Sequence, residues 1–153
     1  WMADAREDIP VIWRYETQAA KASMYNTPPV FPIYVVGLVA RWLEEMGGLS
    51  VIEAHNQEKA ALLYDAIEGS SGFYSSTVSD PLARSLMNVT WRIADTDLEP
   101  LFVQQASEHG LSGVKGHRKV GGLRASIYNA MPRSGVEKLV EFMSDFARRH
   151  AGT

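Results

Sequence analysis

Ten consecutive residues hold the densest chemistry of the 153-residue chain: Lys115-Gly-His-Arg-Lys-Val-Gly-Gly-Leu-Arg124. They gather four of the 15 lysines and arginines, and one of the four histidines, in a chain whose formal net charge is -3. Each guanidinium presents a planar fork that matches a carboxylate or phosphate through two parallel hydrogen bonds. The three glycines let the backbone approach a ligand closely. His117, Arg118 and Arg124 therefore form a candidate site for a small dianion, or for a substrate with an anion at each end. A solvated basic hairpin is the plainer alternative. Arg124 speaks against it, because it falls in an alternating apolar segment where an unpaired charge is expensive.

A second candidate is Ser23-Met-Tyr-Asn-Thr-Pro-Pro29. Thr27 followed by Pro28 reads as a helix N-cap with proline at the first helical position. The unpaired N–H groups and the positive end of the helix dipole favour phosphate there. Prolines 28 and 29 remove two main-chain donors, so Asn26 and Thr27 would have to supply more of the binding. An ordinary N-cap is the alternative.

Other chemistries find little support. The chain has no cysteine, which excludes disulfides, a thiolate nucleophile and a cysteine-ligated metal. His55 has no second histidine four residues on, and no metal site is expected. There is no Gly-x-Ser-x-Gly elbow, no Walker-type loop and no dinucleotide fingerprint. With the negative net charge, no general attraction to nucleic acid is expected. The apolar stretch Ile33–Ala40 is closed by Arg41, far short of the ~20 residues of a membrane span, and the start shows no signal-peptide pattern. A cytoplasmic, membrane-free protein is expected. Residue 1 is Trp, which suggests a piece of a longer chain.

The elements that must position these residues are readable from period and punctuation. Tyr34, Val35, Leu38, Val39, Trp42, Leu43 and Met46 recur at helical spacing, bracketed by Gly37 and by Gly47–Gly48. Pro32 suggests that the regular helix begins only there. Ser50 with Glu53, Thr96 with Glu99, and Ser134 with Glu137 each have capping-box spacing and would open three further helices. The last of these ends in Arg148 and Arg149, which suit its negative C-terminal end. Met87–Ile93 and Leu123–Ile127 alternate as half-buried strands. A short strand is expected at Leu111–Val114, and Ser70–Ser79 reads as a surface loop. The hydrophobic share of 46% and charged share of 22% are those of an ordinary folded domain. The predicted class is α+β, a small and mostly antiparallel sheet covered by helices.

Taken together, the motifs resemble a known family. Residues 23–29, Arg84-Ser-Leu-Met-Asn-Val89, the run 115–132 and the closing Phe-Met-Ser-Asp-Phe-Ala-Arg-Arg-His are similar to the phosphoserine aminotransferases, from about Ile9 to His150. The resemblance implies a fold-type I aminotransferase that uses pyridoxal 5'-phosphate and works as a cytoplasmic homodimer. Such enzymes exchange an amino group between glutamate/2-oxoglutarate and phosphoserine/3-phosphohydroxypyruvate in serine biosynthesis, and some also serve pyridoxine biosynthesis. It further implies that Asn26 and Thr27 reach across the dimer to the cofactor phosphate. His117 and Arg118 would line the site for the substrate's phosphate or side-chain carboxylate, and Arg124 would grip its α-carboxylate. Residues 1–32 would join the large cofactor domain and the dimer interface, and 33–153 would be the small C-terminal domain.

Only the C-terminal part of such an enzyme is matched. Lys21, Lys59, Lys115, Lys119 and Lys138 do not match the lysine that the family links to its cofactor. The aspartate that pairs with the cofactor ring nitrogen and the aromatic ring that stacks on it are also missing. No catalytic residue is therefore expected in this chain, and no transamination by the chain alone, since that lysine also moves the α-proton. A stand-alone phosphate- or carboxylate-binding module and a purely structural dimerisation piece are the alternatives. Met24, Tyr25 and Val30 are expected to lie exposed, with self-association or poor order over residues 1–30 as the consequence.

Overall fold

The computed structural model describes Arg6 and residues 8–152. Its chain divides after Glu45 into two compact units. Part of the expectation for residues 1–30 falls on 1–5 and 7, which lie outside the described residues.

The first unit contains a 3-10 turn (Val11–Trp13), a short helix α1 (Tyr15–Ala19) that the sequence reading did not foresee, and the long helix α2 (Val30–Glu45). Pro32 does not delay α2. It is the third residue of the helix, and the first four N–H groups of any helix lack an internal partner, so nothing is lost. The first ladder bond runs from Ile33 N to Pro29 O (3.1 Å). Gly37 sits inside α2 and does not bound it. The stop comes where expected, before Gly47 at φ +109°. Although α2 is apolar along most of its length, none of its residues is buried.

The second unit holds α3 (Gly48–Glu68), β1 (Tyr74–Ser76), β2 (Asn88–Ile93), α4 (Glu99–Glu108), β3 (Lys115–His117), β4 (Gly121–Ser126) and α5 (Arg133–His150). The strands form one antiparallel sheet in the order β1-β2-β4-β3. Alternation assigns its faces: Val89, Trp91, Ile93, Leu123 and Ala125 are buried, whereas Thr90, Arg92 and Arg124 between them are not. The buried face packs on Leu63 and Ile67 of α3, Phe102 and Ala106 of α4, and Val136, Met143 and Phe146 of α5. Phe102 is the aromatic hub, its ring centre 5.0 Å from those of both Phe142 and Phe146. The α+β architecture is the expected one.

Several local expectations are corrected. None of the three hydroxyl–glutamate pairs caps a helix. Ser50 lies inside α3, which starts from left-handed Gly47. At the second site Asp95, not Thr96, accepts from Asp97 N (3.0 Å) and opens a 3-10 turn that leads into α4. At the third, Pro132 precedes α5 without a side-chain cap, and Glu137 accepts from Arg133 Nε instead (2.8 Å). The Ser70–Ser79 stretch contains β1, because Tyr74 turns into the core. The strand expected at Leu111–Val114 begins later, at Lys115, although the Val114 carbonyl already accepts from Arg124 N (2.8 Å).

Candidate anion-binding site

The β3–β4 hairpin gathers three of the five candidate residues. His117 ends β3, Arg118 stands in the turn over residues 118–120, and Arg124 lies mid-way along β4. Val120 N donates to His117 O (2.8 Å) and closes the turn. Lys119 N donates to the His117 ring at Nδ1 (3.3 Å), which orients the imidazole. Arg118 is exposed and pairs with no described residue.

Arg124 stands opposite Thr90 on the face of the sheet turned away from the core. It is half-buried, and its Nε is shielded from water without an acceptor among the described residues. A shielded guanidinium N–H with no partner is costly, and an anionic ligand would supply the missing acceptor. Arg124 is also among the residues bordering an open cavity of about 340 Å³, whose lining includes Ser112, Ser126 and Met131 and the core residues Ala125, Ile127 and Val136. Beside it on the same face, Asn88 Oδ1 accepts from Ser126 Oγ (3.1 Å) and Tyr128 Oη (3.3 Å). That network ties the ends of β2 and β4 together.

Two residues that sequence reasoning left out hold this arrangement. Lys59 of α3 is 3% exposed, and its Nζ donates to Ile127 O (3.2 Å), Tyr128 O (2.8 Å) and Met131 O (3.1 Å). Burial lowers its pKa below the ordinary lysine value. It thereby pins the segment after β4 that supplies one wall of the Arg124 cavity, helped by Asn56 Nδ2 donating to Asn129 Oδ1 (2.8 Å). Arg92 of β2 donates from Nη2 to Val120 O (2.6 Å) at the hairpin turn. The signal for Arg92 was available, since it alternates with buried residues as Arg124 does.

The glycine doublet has a structural reason. Gly121 and Gly122 take φ of +76° and +70°. A Cβ on Gly121 would stand 3.3 Å from both Arg92 terminal nitrogens, and one on Gly122 would stand 2.9 Å from Trp91 O. On the facing strand, a Cβ at Gly116 would collide with Gly121 O.

Asn26 and Thr27 belong to the first unit. They border an open groove of about 480 Å³ with Gln18, Ser23 and Ile33, just ahead of α2. Both are exposed, and neither pairs with a described residue. One amide and one hydroxyl are thus available to phosphate oxygens. The helix end adds only the N–H groups of Val30 and Phe31, since residues 28, 29 and 32 are proline.

Among the described residues, no group of His, Asp or Glu is placed to hold a metal ion, and no helix is long and apolar enough to cross a membrane.

Comparison with known proteins places the chain in a family. A family model described as aminotransferase class-V matches residues 7–139. The phosphoserine aminotransferase of Chromobacterium violaceum is 51% identical over 149 residues, which cover 97% of this chain and 41% of that protein. The one of Desulfatibacillum aliphaticivorans is 54% identical over 143 residues, or 93% of this chain and 39% of that protein. Among solved structures, the phosphoserine aminotransferase of Bacillus circulans subsp. alkalophilus matches with a TM-score of 0.88 at 49% identity, over 97% of this chain and 41% of its own. The PLP-bound phosphoserine aminotransferase of Trichomonas vaginalis matches with a TM-score of 0.81 at 37% identity, over 92% and 40%. The chain spans about two fifths of the length of the curated relatives it matches. It belongs to the class-V aminotransferases, and the members it matches are phosphoserine aminotransferases, of which it corresponds to the C-terminal portion.

Proposed function

We propose that this chain supplies the substrate-anion and cofactor-phosphate contacts of a phosphoserine aminotransferase. The observation that carries the reading is Arg124, a half-buried arginine on a strand face whose Nε has no acceptor among the described residues. The substrates of such an enzyme all have an α-carboxylate, and each has a second anion at the other end. Phosphoserine and 3-phosphohydroxypyruvate end in phosphate, glutamate and 2-oxoglutarate in carboxylate. Arg124 takes the α-carboxylate they share. Arg118, with His117 beside it, takes the distal anion, and a guanidinium fork fits either kind. Phosphohydroxythreonine, the pyridoxine-pathway substrate, has the same two ends and would fit the same clamps.

Asn26 and Thr27 suit the phosphate of pyridoxal 5'-phosphate, since both are unengaged donors facing an open groove. When bound, that cofactor supplies the electron sink for amino-group transfer. This chain's residues anchor its phosphate and orient the substrate. In this reading Asn26 and Thr27 serve the site of the other subunit of a cytoplasmic homodimer. Residues 1–32 join the cofactor domain, and 33–153 are the small C-terminal domain. The lysine that takes part in the chemistry is not among this chain's five. The test is an assay of glutamate with 3-phosphohydroxypyruvate and added pyridoxal phosphate. This chain alone should show no turnover above the cofactor blank, and enzyme-dependent rates from it would overturn that part of the reading.

A further inference from the structure

We infer that Arg92 and Glu99 are positioning residues of the anion site: the pair sets the hairpin turn that presents His117 and Arg118 without touching the anion itself. The inference rests on reading that turn as anion-binding.

Arg92 and Arg118 are both arginines at one end of the sheet, but their circumstances differ. Arg118 pairs with no described residue and is exposed. Arg92 is engaged at both terminal nitrogens. Its Nη2 donates to Val120 O at 2.6 Å, and its Nη1 lies 3.5 and 3.4 Å from the two carboxylate oxygens of Glu99. Glu99 is itself only 13% exposed in its side chain and is the first residue of α4. A carboxylate is favoured at that positive helix end, so the anchor is fixed from behind. The brace runs from α4 through Glu99 and Arg92 to the carbonyl of Val120, a residue whose own N–H donates to His117 O.

The glycine doublet completes the device. The Arg92 stem passes so close to Gly122 that an added Cβ would stand 3.0 Å from both Cδ and Nε. A side chain at either glycine would crowd the Arg92 side chain that reaches the Val120 carbonyl. The doublet leaves room for the arginine, and the arginine holds the turn that presents Arg118. With its charge already met by Glu99, Arg92 has little left to offer a ligand. It is a brace, whereas Arg118, which pairs with no described residue, is left to the ligand.

The test uses the whole chain in three forms: unchanged, Arg92→Met and Glu99→Gln. Amide hydrogen exchange at Val120 without ligand and the affinity for inorganic phosphate are measured on each, with Tm as the control for global stability. Both variants should raise Val120 exchange by about tenfold, the scale of one lost charge-assisted hydrogen bond, with Tm lowered by only a few degrees. Both should also weaken phosphate binding several-fold. Glu99→Gln decides between brace and ligand. Removing a negative charge would by itself tighten anion binding, so weaker binding marks a positioning role. Unchanged exchange at Val120, or tighter phosphate binding by Glu99→Gln, overturns the inference. If Arg92→Met does not fold, the near-isosteric Glu99→Gln decides alone. If the unchanged chain binds no phosphate, the anion-site reading fails, while the exchange data still decide whether the brace exists.

Discussion

At Gly122 the backbone takes φ +70°, and a methyl group added there would stand 2.9 Å from the Trp91 carbonyl oxygen. At Gly113 the backbone is similar, φ +77°, yet nothing lies within 4 Å of the added atom. The two positions separate the cost of backbone conformation from the cost of crowding. Gly113→Ala should lose about 1–2 kcal/mol, the left-handed penalty alone. Gly122→Ala should lose more, because the sheet or Arg92 must also give way. Urea unfolding of both variants measures the difference, and equal losses would show that the doublet is not crowded. Some of this was legible beforehand. Arg124 could be singled out because a charge alternating with Leu123 and Ala125 needs a reason. Arg92 alternates with Trp91 and Ile93 in the same way, but its main acceptor lies 28 residues on, at Val120. Lys59 was harder still, since its three acceptors lie 68 to 72 residues away. Read locally, it is one more lysine on a helix. Local pattern shows that a polar residue is unusual, and only the packed chain shows what it holds.

Strands and helices followed the period of their apolar residues, and their ends did not follow the capping pattern. Burial of one face is a sum over many residues, as in α5 with Val136, Leu139, Met143 and Phe146. A cap rests on a single hydrogen bond, worth about 1 kcal/mol, and one neighbour can displace it. Asp95 did so at the 3-10 turn before α4 and Arg133 at α5. The edge strand β1 was hidden for a similar reason. Its serines look like a loop, and Tyr74 alone carries it into the core. The Tyr74 hydroxyl donates to Met143 O at 2.9 Å, tying β1 to α5. Burial raises the pKa of this phenol well above its ordinary value of 10.0. A raised pKa in the folded state gives stability that is present below pH 10 and lost as pH rises above it, where the unfolded chain ionises first. Tyr74→Phe should therefore lose about 1 kcal/mol near neutral pH and show a shallower decline above pH 10. Urea midpoints between pH 8 and 11 check this, and parallel declines in the two proteins would contradict it.

Seen whole, the chain has one well-packed unit and one that buries little. From Met46 onward a continuous core joins three of the four strands to three helices. In α2, Val30, Phe31 and Val36 are 65, 73 and 67% exposed, and no residue of the helix is buried. An apolar surface of this kind drives association. The chain should self-associate at micromolar concentration, and Phe31→Glu with Val36→Glu should reduce it. Sedimentation velocity decides, and a monodisperse monomer for the unchanged chain would contradict the expectation. The division of labour also defines what the molecule can do by itself. Its second unit carries the β3–β4 hairpin with Arg118 and Arg124, and the proposal that these two arginines bind anions is the central claim. Titration with L-phosphoserine, followed by NMR of the arginine side chains, tests it most directly. Saturable shifts are expected at Arg118 and Arg124, with Arg124→Met retaining the response of Arg118 to inorganic phosphate. Phosphoserine that leaves both arginines unmoved, or moves exposed lysines equally, would contradict it.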